Sequence, residues 1–286
     1  MPVRDLGYRP YEGERLPSSH NTWVLLRHGL RRAWASWLVK IAVFLGWVPT
    51  AIFVGVVFVQ FRMAQEAPPE MVEGLQAQAG PAVANLLGWQ MWLFATMASL
   101  GAGAGAIAED LTHRAFQFYF AKPVTPEQYL AGRVVAVAGL CFALLLLPAL
   151  LSVATVASLA PPEERLARAG LLLPAVLSSA VVAVTLGTVS VAVSSLSRSR
   201  ALTMSAWVMV FVIPEVLSTI VTAVGDWPWL GLLSLPTLLG TVGIALFKME
   251  PPTDLRWFHA VPALAIWVGA GTALALARLR RAEVIT

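Results

Sequence analysis

Apolar residues run in long stretches along this chain, and polar residues collect between them. Six stretches predict membrane-spanning helices, at roughly 39–61, 86–108, 129–159, 169–196, 201–224 and 260–278. Each comes close to, or exceeds, the ~20 apolar residues a helix needs to cross a bilayer. Pro49 falls inside the first stretch and predicts a kink of the kind a helix bundle tolerates. Gly101 and Gly105 lie in a small-residue run of the second, a spacing that lets another helix approach closely. The fourth and fifth stretches are joined only by the residues SRSR at 197–200, which predicts an antiparallel hairpin.

The segments outside these stretches divide by pattern. Residues 1–20, rich in Arg, Pro and Gly, read as an irregular tail that could be anchored by Tyr8 and Tyr11. Within 21–38, Trp23, Leu26, Leu30, Trp34 and Trp37 recur at spacings of three and four, and Asn21 or Thr22 can cap the start. Arg27 and Arg31 stand four apart on another face. This arrangement predicts an amphipathic helix lying in the membrane interface, with Trp23 and Trp34 in lipid and Arg27 and Arg31 toward headgroups. The other reading is the polar start of the first span. Residues 62–85 read as an exposed loop. Residues 225–259 are apolar but broken by Pro228, Pro236, Pro251 and Pro252. They predict a pair of short re-entrant or interfacial helices, with a further full span through 229–247 as the alternative. The fold class is therefore all-α and polytopic. Residues 1–38 form a tail and an amphipathic "elbow" helix, and 39–286 form one six-helix transmembrane domain.

Composition strengthens this picture. The 286 residues are 58% hydrophobic and 13% charged, where a soluble domain carries about 25% charged residues. The net charge of +4 does not point to nucleic acid, because the basic residues sit mostly at the ends of apolar runs. With both termini in the cytoplasm, 15 of the 20 Lys and Arg residues fall on the cytoplasmic side, as the positive-inside rule asks. A seventh span would invert the basic C-terminal end. The one cysteine, Cys141, lies in an apolar run and reads as a core residue. No cleavable signal sequence is evident.

Catalytic patterns are missing. There is no GxxxxGK[ST] loop, so no ATP site is expected here, and the four scattered histidines form no metal-ligand spacing. Glu215, after Pro214, is the one acid deep in a span. Such a carboxylate is costly in lipid and must be neutral, paired or wet. It is a candidate for the substrate path, with helix packing as the alternative. The densest chemistry lies between the second and third spans. Glu109 and Asp110 end span two. Phe116, Phe118, Tyr119 and Phe120 then crowd beside Arg114 and Lys122, and Pro123 and Pro126 end the segment. Aromatics and Arg on a short exposed helix suit a protein contact. A loop lying at the lipid surface is the other reading.

This stretch resembles the type 2 ATP-binding cassette permeases. Their pattern is roughly E…G(T/A)…L…(R/K)P(V/L)(S/T)R…Y…GK. Glu109, Pro123, Val124, Thr125, Tyr129 and Gly132 match it, while Arg133 replaces the usual Lys and Ala115 stands near the usual Gly-Thr. The six spans, the amphipathic helix and the broken region before span six fit the same family. The resemblance implies a permease subunit of an exporter in a bacterial-type inner membrane, with no catalytic site of its own. It implies a second permease copy, membrane lipid, and two cytoplasmic ABC ATPase subunits that hold ATP and Mg2+. A coupling helix within 109–127 would dock on an ATPase through Glu109, Asp110, Arg114, Phe116, Phe118, Tyr119, Lys122, Pro123 and Tyr129. A membrane scaffold that recruits a cytoplasmic partner is a second reading, and an enzyme acting on lipid or quinone a third. The third needs a polar cluster at one membrane depth, which the sequence lacks.

Overall fold

The computed structural model describes residues 19–64, 74, 78–116, 119, 124–225 and 227–284. Among them every regular element is a helix. Six helices are long and apolar enough to cross a membrane: Trp37–Met63, Ala79–Thr112, Pro126–Leu159, Arg165–Ser194, Arg200–Gly225 and Trp257–Arg281. The tail 1–18 and much of the 62–85 loop lie outside the described residues.

Helix α1 (Ser19–Ala35) precedes span one and is separated from it by the extended residue Ser36. Span one is two helices, α2 (Trp37–Leu45) and α3 (Trp47–Ala64), with a break at Gly46. Pro49 explains the position of the break: it has no N–H for the Leu45 carbonyl, and its ring crowds that carbonyl. The kink therefore appears one turn before the proline. Gln90 of span two, fully buried, donates its side-chain amide to the Gly46 carbonyl at 3.2 Å and to Thr50 Oγ1 at 2.8 Å.

Span two departs from the single continuous helix expected at 86–108. It starts earlier, with α4 (Ala79–Trp89), and widens into a π turn at Gln90–Ala95. It resumes as α5 (Thr96–Gly103), loosens into a turn over 104–107, and ends in α6 (Ala108–Thr112). The regular ladder lapses where small residues and glycines alternate. Ser194, from span four, fills the gap. Its hydroxyl accepts from the backbone N–H groups of Ile107 and Ala108, both at 3.0 Å, and donates to the Ala104 carbonyl at 2.8 Å. Buried backbone groups need such partners.

Span three is α7 (Pro126–Leu159), 34 residues long. At 1.5 Å per residue it measures about 51 Å, well beyond a ~30 Å hydrocarbon core. Its start is fixed by sequence: Thr125 Oγ1 accepts from Gln128 N at 3.2 Å, the Gln128 side chain accepts from Thr125 N at 3.3 Å, and Pro126 opens the first turn. Span four comprises α8 (Arg165–Ala169) and α9 (Leu172–Ser194), and α9 packs along α7 to form the centre of the bundle. Span five is α10 (Arg200–Gly225). A 3-10 turn (Pro228–Leu233) and α11 (Leu235–Leu246) follow, and α12 (Trp257–Val284) carries span six. The 12 residues of α11 give about 18 Å, too short to cross. The 225–259 region therefore adds no seventh span.

Candidate functional site

The site is built around two adjacent carboxylates, Glu109 and Asp110, at the C-terminal end of span two. Asp110 is 6% exposed. One of its oxygens accepts from Arg32 Nη1 of α1 at 2.9 Å. The other accepts from Arg133 and from the Tyr129 hydroxyl, both on α7. Glu109 faces the other way. It pairs with Arg32, whose Nε lies at 3.1 Å, and with Arg200 Nη1 of α10, also at 3.1 Å. Arg200 Nη2 reaches on to the Gly101 carbonyl at 3.2 Å and to Ser36 Oγ at 3.4 Å. Two acids thus join α1, α7 and α10 to the end of span two.

The junction is closed by aromatic rings. Arg133 is 1% exposed. Its guanidinium lies 5.1 Å from the Tyr129 ring centroid and donates to the Tyr119 hydroxyl at 3.3 Å. Phe116 and Tyr119 each hold their ring centroids 5.3 Å from that of Tyr129. A guanidinium can be buried this way only because carboxylate, phenol and ring face it together. Burial alone would lower the Arg32 pKa, but the hydrogen bonds Arg32 donates to Glu109 and Asp110, with their charges, outweigh burial and raise it. One turn away, His28 is held below its ordinary value by burial and by the Arg133 and Arg32 charges.

The expected docking residues separate by burial. Asp110, Phe116 and Tyr129 lie inside the junction. They brace the segment from within and present little side-chain surface. Arg114 is exposed on a turn with φ 52. Glu109 is one-quarter exposed, and Tyr119 is intermediate. Phe118, Lys122 and Pro123 lie outside the described residues.

The remaining sites differ from expectation in their neighbours. On α1, Trp23 and Trp34 are exposed, as are Arg27 and Arg31. The face that meets the protein is a row of smaller residues, Leu25, Gly29, Ala33 and Ser36. A Cβ added at Gly29 would stand 2.7 Å from Ala136 Cβ, and one at Gly132 would stand 2.6 Å from Leu25 Cβ. Gly101 meets Leu38 and Ser36 in the same close way, at 2.9 and 2.8 Å. At Gly105 an added Cβ would stand 2.5 Å from the Glu109 carboxylate, so this glycine makes room for that side chain. Glu215 accepts from Thr237 Oγ1 at 2.7 Å and from the Ser234 hydroxyl. Ser234 caps α11 by accepting from Thr237 N at 3.2 Å, so the deep carboxylate is engaged at the head of that helix.

A family model described as ABC-2 family transporter protein matches residues 29–232. The chain belongs to the ABC-2 transporter family. A search of curated proteins gave no match. In this ABC-2 permease the matched region begins inside α1 and contains spans one to five with the whole junction. The family implies association with ABC ATPase partners and a transport subunit without a catalytic site of its own.

Three members of the permease junction are not evident as site residues from sequence. Arg32, beside Arg31, reads as one more interfacial cation, yet it points inward. Arg133 reads as a variant of the family's Lys, and Arg200 as a topology charge. The available signal was an excess of cations at one membrane end facing two adjacent acids. Sequence shows that excess but not which cations turn inward.

Proposed function

We propose that this permease is the membrane half of an exporter, working as a homodimer with two cytoplasmic ATPases in a bacterial-type inner membrane, with both termini in the cytoplasm. The segment after Asp110 docks on an ATPase that holds ATP and Mg2+, and α1 lies beside it as the elbow helix. The observation that carries this reading is the ionic junction. A displacement of the docked segment cannot move alone, because Asp110 and Glu109 are tied to α1, α7 and α10. Motion at the ATPases is then delivered to several spans as one rigid-body shift. The 15 cytoplasmic cations support the orientation. Span five supports the homodimer: only 11% of its apolar stretch is enclosed by the chain itself, which leaves a long face for a second copy.

The test is co-expression with the cognate ATPase and reconstitution in sealed vesicles. Arg114 is exposed, and Asp tolerates its left-handed backbone. Arg114→Asp is therefore expected to weaken co-purification of the ATPase without lowering the melting temperature of the permease. ATP-driven flux in wild type completes the case. ATPase binding with no ATP-driven flux of any solute would show a scaffold instead and overturn the proposal.

A further inference from the structure

Helix α1 has two faces with different chemistry. Its inward face packs on span three and gives up Arg32 to Glu109 and Asp110. Its outward face carries exposed Trp23, Leu30 and Trp34 beside exposed Arg27 and Arg31. The helix contains no Asp or Glu at all. Among the described residues no carboxylate lies within 4.0 Å of either Arg27 or Arg31. The two guanidiniums stand one turn apart, so they share a side of the helix. A cleft of 310 Å³ runs between them, bounded by His20, Trp23 and His28. Paired cations with no carboxylate beside them among the described residues, and with indoles at their flank, are complementary to an amphiphile with a negative head and apolar tails.

We infer that this outward face binds anionic phospholipid. Arg27 and Arg31 take the headgroup phosphate and its diester neighbours, while Trp23 and Trp34 enter the boundary of the acyl chains. Each surface cation contributes about 1 kcal/mol toward an anionic leaflet, so the pair together favours an anionic over a zwitterionic lipid by about thirtyfold. The inference rests on the proposed placement of α1 at the cytoplasmic surface of the membrane. It goes beyond that reading by assigning the lipid class and the two residues that select it.

The experiment uses the full chain with Val24→Cys carrying an environment-sensitive fluorophore. Val24 is exposed between the two indole positions, and native Cys141 is fully buried. Reconstitution follows in vesicles doped with brominated phosphatidylglycerol or brominated phosphatidylcholine. The expected result is quenching by phosphatidylglycerol at about thirtyfold lower mole ratio to the site, falling to near equality in Arg27→Gln/Arg31→Gln. That variant keeps Arg32 and changes only exposed side chains. Equal quenching by the two lipids in wild type overturns the inference, as does a preference that survives the double substitution. A fluorophore shielded only when the ATPase is added overturns it too, by assigning the face to that partner. A membrane-impermeant thiol reagent separates the underlying reading. If Val24→Cys reacts from outside intact cells, the orientation fails, whatever the lipid preference shows.

Discussion

Asp110 is an acid enclosed by protein and bonded on both oxygens, and substitutions there test the junction residue by residue. Asp110→Asn leaves Arg133 buried with no counter-charge, and breaking a buried pair from one side costs about 3–5 kcal/mol. Thermal unfolding of the solubilised permease should show a large drop. Arg133→Lys keeps a cation for Nη2, the one nitrogen that makes both polar contacts, but gives up the stack on the Tyr129 ring, so it should cost less than Asp110→Asn without being silent. Equal losses from the two substitutions would refute the single-nitrogen account. His28 gives the junction a pH dependence. Its folded pKa lies below 6.5, lowered by burial, Arg133, Arg32 and Arg31 and only partly raised by Asp110. Folding thus resists protonation there. This contribution to stability is complete above pH 6.5 and is lost as pH falls below it toward the lower folded value. His28→Asn should flatten that part of a stability-against-pH curve; an unchanged slope would assign it elsewhere.

At the scale of helices, periodicity and length made the six spans legible, along with the short link between spans four and five and the short helical elements within 225–259. The spans and the short elements depend on local rules: bilayer thickness, helix rise and proline stereochemistry. The inward side of α1 was not legible. A search for large apolar residues finds Trp23, Leu30 and Trp34, which face away from the protein, while Gly29 and Ala33 carry little hydrophobic signal. Small residues lose prominence in a sequence pattern because what they contribute is nearness of another helix. The interruption of span two at 104–107 was hidden for a related reason, since the partner of its backbone, the Ser194 hydroxyl, comes from another helix. Glu215 stood out as the deep acid, but its partners Ser234 and Thr237 lie about 20 residues on. The α1–α7 crossing yields a direct test. Gly132→Val would put a Cβ 2.6 Å from Leu25 Cβ, so it should cost about 1–3 kcal/mol and loosen α1. Hydrogen exchange in α1 amides should quicken while α9 stays protected; uniform acceleration would mean global unfolding rather than a lifted helix.

For the molecule as a whole, the enclosure of the spans is uneven. Of the apolar stretch of span two, 67% is covered by the rest of the chain, against 17% in spans one and six. The most enclosed span is also one whose backbone ladder lapses over 104–107, where Ser194 bridges the gap. An unbroken helix is a rod that passes torque along its length. Span two has instead a wrist at 104–107 whose strap belongs to span four. A twist applied at Glu109 and Asp110 is handed sideways to the last turn of α9 before it climbs toward Gln90. Ser194→Ala cuts that strap and strands two amide hydrogens and a carbonyl, for roughly 2–4 kcal/mol of stability. In a reconstituted transporter, ATP turnover should then continue while solute flux falls, as in an engine whose clutch slips. Flux and turnover declining in step would show that force travels up span two by another route.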